Sequence, residues 1–183
     1  MVLVYLTGAS GAGKTTVGVE LRRRGFLVYD VDADWLARWY ENVSGAEVSM
    51  PTYRDGTWFA ENTYRLPVET VRRIAAEAGD GTAFICGSVG NENEIWDLFT
   101  RVISLTVDAA TLERRLVERG GFGSSSAELE RVLRWHAQVD ADNARYGAHL
   151  VAAEASVLEI ADNVLAALRA NEAVLDLWQI RLE

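Results

Sequence analysis

One cysteine, one lysine and no long apolar run are what this sequence of 183 residues is short of. Cys86 stands alone, so an internal disulfide is excluded and no cysteine-based metal cluster can form. The apolar run Val2–Leu6 is too short for a membrane span or a secretion signal, and no basic stretch precedes it, so a cytoplasmic protein is expected. Positive charge is scarce as well. Lys and Arg number 18 against 27 Asp and Glu, a net charge of −9, which argues against nucleic acid or an anionic membrane as partner. Affinity for phosphate backbones comes mainly from clustered cations. Of those 18 cations, only Lys14 is lysine.

What is there is a core. With 49% hydrophobic residues, the chain is expected to fold as one domain, residues 1–183, as a monomer or homodimer. Val2–Thr7 is a continuous β-prone run of the kind buried on both faces in a parallel sheet, and Thr15–Arg24 reads as a helix. Phe26–Val31 is a second strand, and a helix is expected over Trp35–Glu41. Pro67–Glu77 is a helix with proline at its start, followed by a Gly79–Gly81 turn and a third strand, Thr82–Cys86. Ile95–Phe99 is a short helix and Val102–Val107 a fourth strand. Asp108 caps a helix over Ala109–Arg119. Ala127–Ala144 is a long helix and His149–Ala152 a fifth strand. Ser156 and Glu159 form a capping box ahead of a helix whose apolar face is Val157, Ile160, Ala161, Val164, Leu165 and Leu168. A last helix is expected over 171–183, with Leu175, Trp178 and Leu182 inward. Five strands alternating with helices predict a three-layer α/β domain with a parallel sheet, binding ligands beyond the carboxyl ends of its strands.

The segment Gly8-Ala9-Ser10-Gly11-Ala12-Gly13-Lys14-Thr15 fits G-x-x-x-x-G-K-[ST] between a predicted strand and a predicted helix. Glycines there let successive N–H groups curl around a phosphate, the helix N-terminus adds partial positive charge, and Lys14 reaches the β and γ phosphates. Thr15 would place its hydroxyl on Mg²⁺, with Thr16 beside it. Arginine is too bulky and planar for the Lys14 position. A Ras-type GTPase would need a second lysine for its N-K-x-D motif, so ATP is the expected nucleotide.

Asp30, Asp32 and Asp34 alternate at the end of the second strand and point the same way if the extended conformation persists. Such a cluster suits Mg²⁺ binding or acceptance of a proton from a substrate hydroxyl; alternatively Asp34 caps the following helix. Strand, phosphate loop, helix and then strand with D-x-D resemble the small P-loop kinases, the nucleoside-monophosphate kinase and shikimate kinase group of the P-loop NTPase fold. In shikimate-kinase-like members the first Asp helps hold Mg²⁺ and the second contacts the acceptor hydroxyl. The resemblance therefore implies Asp30 with Asp32, or Asp32 with Asp34. Gly87, Ser88 and Gly90 resemble the glycine-rich acceptor loop of that group. Asn91, Glu92, Asn93 and Glu94 read as a helix start whose acidic residues complement the dipole.

Arg115 and Arg119 resemble the arginine pair that flanks adenine and phosphates in adenylate-kinase-like proteins. At i, i+4 they share a helix face beside a glycine-rich insert, and about 119–130 is the expected lid. An arginine closing from it neutralises charge on the transferred phosphoryl group. Residues about 35–78 are the expected acceptor-binding segment. Trp35, Trp39, Tyr40, Tyr53, Trp58, Phe59 and Tyr64 make seven of the chain's 17 aromatics. They fit either a stacked acceptor, with Arg54 or Arg65 on an anionic group, or a small satellite core. The reading is a Mg²⁺- and ATP-dependent kinase of a small-molecule acceptor, with Lys14, Asp32 and Arg119 catalytic. The alternatives are an ATP-binding protein that sequesters a nucleoside-like or antibiotic ligand, and a nucleotide-gated switch.

Overall fold

Alternation along the first strand sets the architecture. In β1 (Val2–Gly8), Val4 and Leu6 enter one core and Leu3 and Tyr5 the other, all at 0% exposure. Such a strand must lie in the middle of a sheet covered on both faces. The structure is a computed structural model and describes residues 1–52, 54–120 and 126–169. The expected helix over 171–183, Tyr53 and most of the glycine-rich insert lie outside the described residues.

After β1 come α1 (Lys14–Arg23) and β2 (Leu27–Asp30), then β3 (Arg38–Glu41), β4 (Glu47–Val48), α2 (Gly56–Glu61) and β5 (Asn62–Arg65). The chain continues through α3 (Val68–Ala78), β6 (Thr82–Cys86), α4 (Glu92–Ile95), a 3₁₀ turn at Trp96–Leu98 and β7 (Arg101–Thr106). It ends its described course with α5 (Ala109–Arg119), α6 (Ser126–Arg145), β8 (His149–Ala152) and α7 (Val157–Arg169). Five strands form one parallel sheet in the order β2-β6-β1-β7-β8. The α/β three-layer class expected from the alternation is the one observed. On one face Val17 and Leu21 of α1, Leu112 and Leu116 of α5, and Ile160 and Val164 of α7 pack on Val4, Leu6, Ile103 and Leu105. On the other, Val71 and Ile74 of α3 and Ile95 of α4 pack on Leu3, Tyr5 and Ile85. Each such side chain contributes about 1.5–3 kcal/mol on burial.

The caps are as the sequence implies. Asp108 accepts the Thr111 N–H at 2.9 Å, and the Ser156–Glu159 box is closed by Glu159 Oε2 on the Ser156 N–H at 3.1 Å. One expectation fails: no helix occupies 35–41. Trp35 has φ 54, outside the helical region, and the β-prone pair Trp39 and Tyr40 joins an antiparallel ladder facing Tyr64 and Thr63. The result is a second, three-stranded sheet, β4-β3-β5, beyond the main one. Among the described residues no helix is long and apolar enough to cross a membrane.

Candidate active site

β1 lies where the connections reverse direction across the sheet, so its carboxyl end opens on the crevice where α/β sheets bind ligands. Gly8 makes the exit with φ 131, and a Cβ there would sit 2.4 Å from the Leu105 carbonyl oxygen, so only glycine fits. The loop then runs through Ala9, Ser10, Gly11, Ala12 and Gly13 into α1, whose N-cap, Gly13, carries no side-chain cap. Its first N–H groups are therefore available to an anion. Lys14 folds back so that Nζ donates to the carbonyls of Gly8 and Ala9, both at 2.9 Å. Burial pushes its ammonium down to about 8, with Asp32 and Glu92 opposing that shift and Arg119 adding to it. Thr15 and Thr16 stand exposed on the first turn of α1.

Across the loop, the three aspartates do not fan out along an extended strand. The strand ends at Asp30, which is buried, and its Oδ1 accepts the N–H groups of Asp32 at 3.0 Å and Ala33 at 2.9 Å. This Asx turn competes with the extended conformation and wins. Asp34 bends back to accept the Asp30 N–H at 2.8 Å, with Arg22 3.7 Å away, rather than capping a following helix. Asp32 is exposed at the apex, where Oδ1 accepts the Tyr64 hydroxyl at 2.9 Å, while Asp34, also exposed, is spent on the turn itself.

The β6 exit completes the floor. Ser88 donates to the Gly8 carbonyl at 2.7 Å, and Gly87 packs so closely that a Cβ would lie 2.5 Å from Val31 Cβ, between the two aspartates. Glu92 is not the surface residue expected at a helix start. Its Oε1 accepts the Tyr5 and Thr7 hydroxyls, both at 2.9 Å, under the phosphate loop, and burial holds its carboxyl above the ordinary glutamate range.

The arginines divide. Arg115 donates to the carbonyls of Ala12 at 3.3 Å and Ala153 at 2.8 Å, strapping the phosphate loop to the β8 exit. Arg119, one turn on, lies near enough to Lys14 for its charge to bear on it. Arg54 pairs with Glu128 of α6 at 2.8 Å, and Arg65 pairs with Glu94. Trp58 packs on Trp39 with ring centres 4.6 Å apart and planes tilted by 59°, and Tyr64 and Phe59 lie 5.3 and 5.8 Å from the same ring. Both Arg54 and Arg65 thus already face a carboxylate, and the aromatics form a half-buried cluster against one another.

The family described as an AAA domain matches residues 4–136. The chain belongs to that family. Among solved structures, this AAA-domain chain is similar to a gluconokinase from Sinorhizobium meliloti 1021, at 16% identity over 97% of each chain with a TM-score of 0.58. It is likewise similar to the shikimate kinase from Aquifex aeolicus, at 17% identity over 93% of this chain and 98% of that one, TM-score 0.58. The shikimate kinase from Acinetobacter baumannii, solved with shikimate, matches at 18% identity over 93% and 94%, TM-score 0.58. These likenesses establish the small P-loop kinase fold. No curated protein sequence matches.

Two residues of this AAA-domain chain escape a reading of sequence. Glu92 sits in an acidic run whose local pattern is that of any helix start, and Tyr64 is one aromatic among seven. Tyr64 carried a signal that could have been used: it stands in β-prone N-T-Y-R, in a segment too rich in aromatics to be plain loop.

Proposed function

We propose that this AAA-domain chain is an ATP-dependent phosphotransferase acting on a hydroxyl or phosphate of a small molecule. The observation that carries the reading is the pairing of an open phosphate cradle around Lys14 with an exposed, anchored carboxylate, Asp32, whose charge Lys14 feels. The N–H groups of Gly11, Gly13 and the first turn of α1 bind phosphate oxygens, and Lys14 leaves its two carbonyl acceptors for the β and γ phosphates. Asp32 orients the acceptor hydroxyl and takes its proton as the new P–O bond forms and the bond to ADP breaks. Arg119 supplies charge to the transferred phosphoryl group.

The donor set suits Mg²⁺, which keeps several waters and takes one or two carboxylates. The Thr15 hydroxyl and the second carboxylate oxygen of Asp30 would hold it, leaving Asp32 for the acceptor. Oδ1 of Asp30, committed to its own turn, supports Asp32. Bound there, the ion neutralises phosphate charge. Arg115 acts on the nucleotide indirectly by holding the loop, and Trp58, Arg54, Arg65, Gly87 and Ser88 shape the acceptor side. We place the reaction in the cytoplasm, with neither nucleic acid nor membrane as partner.

The test is ATP consumption with Mg²⁺ over a panel of gluconate, shikimate, other polyols, nucleosides, nucleoside monophosphates and aminoglycosides, with Lys14→Ala as the blank. One acceptor raising turnover far above the acceptor-free rate, abolished in Lys14→Ala, supports the reading. ATP binding with no acceptor-stimulated turnover, together with tight retention of one panel member, would favour a sequestering protein instead.

A further inference from the structure

We propose that Tyr64 is a positioning residue for Asp32: its hydroxyl fixes one carboxylate oxygen so that the other faces the acceptor. The inference rests on the reading of Asp32 as the base. Asp32 stands exposed at the apex of a turn, where a short acidic side chain would otherwise rotate freely about its terminal bond. A base must hold its lone pair within hydrogen-bond reach of the proton it takes, and a misplacement of about 1 Å costs about 100-fold in rate. The one side-chain donor to Asp32 among the described residues is Tyr64, at 2.9 Å from Oδ1.

Tyr64 is itself held from two sides. Its carbonyl accepts the Gly90 N–H at 2.7 Å, tying β5 to the β6 exit. Its ring lies 5.3 Å from Trp39, within the cluster formed with Trp58 and Phe59. The phenol keeps its proton: burial and the Asp32 charge raise it well above the ordinary tyrosine range, Asp30 adding to the effect and Arg38 of β3 opposing it. It is therefore a donor at any pH the protein meets. Because β3 and β5 belong to the acceptor-binding segment, whatever settles against those rings also sets where Asp32 points.

The experiment combines a phenol titration with a double-mutant cycle. By ultraviolet difference titration, Asp32→Asn should move one high-titrating tyrosine to lower pH, burial still holding it above the ordinary tyrosine range, a signal lost in Tyr64→Phe. In turnover with the panel's best acceptor, Tyr64→Phe should lower kcat about tenfold with KM for ATP unchanged. Asp32→Asn should lower it about 1,000-fold. The double variant should be no slower than Asp32→Asn, because Tyr64 acts through the group already removed. Additive losses, or a phenol that ignores Asp32→Asn, overturn the inference and leave the kinase reading standing. If Tyr64→Phe does not fold, the titration of Asp32→Asn against the unsubstituted protein decides alone. A full-rate Asp32→Asn enzyme overturns the base itself, and the inference with it.

Discussion

Arg54 Nη2 lies 2.8 Å from Glu128 Oε1, across 74 residues of sequence. One turn along α6, Arg131 sets its guanidinium carbon 4.2 Å from the ring centre of Phe59. These two contacts fasten the segment around α2 to the helix that follows the glycine-rich insert. Both carboxylate and guanidinium are largely covered, at 22% and 16% exposure, so the pair is worth more than a surface bridge. Arg54→Met, which keeps the stem and drops the charge, should cost about 1.5 kcal/mol. It should also speed amide exchange over 56–61 before the rest of the chain. Urea unfolding and hydrogen exchange check both; an unchanged midpoint with unchanged exchange at α2 would contradict the fastening.

Nucleotide affinity should depend on pH through Lys14. In the free protein its ammonium is pushed down to about 8 by burial; phosphates restore the charge. Above about 8 the free protein has lost a proton that binding must recover, so affinity for ATP falls by up to tenfold per pH unit, well short of the ordinary lysine value of about 10.4. The stability of the free protein moves the other way, rising from pH 8 upward because the unfolded chain holds that proton more tightly. Calorimetric titration with ATP between pH 7 and 9.5 measures the slope, and a flat profile rules the shift out.

Glu92 makes a second pH-dependent contribution of opposite sign. Burial raises its carboxyl above the ordinary value of about 4.3. Its contribution is fully present below that value and fades as pH rises through its folded value, because the buried group must then ionise. Glu92→Gln should flatten the decline, so the variant gains thermal stability relative to the unsubstituted protein on going from pH 4.5 to 7. Parallel melting curves for the two proteins across that range would remove the buried carboxyl as their cause.

Gly87→Ala should be costly although alanine is small. The added Cβ meets Val31 Cβ at 2.5 Å, and overpacking of this kind costs about 1–3 kcal/mol. Relief requires moving Val31, and with it the turn that carries Asp32, so turnover should fall together with the melting temperature. Gly79→Ala makes the contrasting control. Nothing lies within 4 Å of a Cβ there, so it should lose stability through its φ of 53 while leaving turnover alone.

Where the governing interactions are local, the sequence was legible. The Gly8–Thr15 loop, β6, β8 and α5 lie where spacing and caps place them, since a capping aspartate or an apolar run acts within a few residues. The conformation after Asp30 was not legible. Alternating aspartates are compatible with a strand or with an Asx turn, and the turn prevails once Asp30 is buried and its Oδ1 needs donors. Trp39 and Tyr40 likewise accept helix or strand until Thr63 and Tyr64 arrive as partners.

By itself, then, the chain's sequence determined the parallel α/β sheet and the phosphate loop, because hydrophobic period, glycine placement and the lone lysine act along the backbone. Only the tertiary structure decided which carboxylates face the loop. Glu92 is drawn under it by hydroxyls of Tyr5 and Thr7, more than 80 residues earlier, and Asp32 is oriented by Tyr64, 32 residues later. Such pairings reward a side chain for where the fold carries it, and no pattern of near neighbours contains that information.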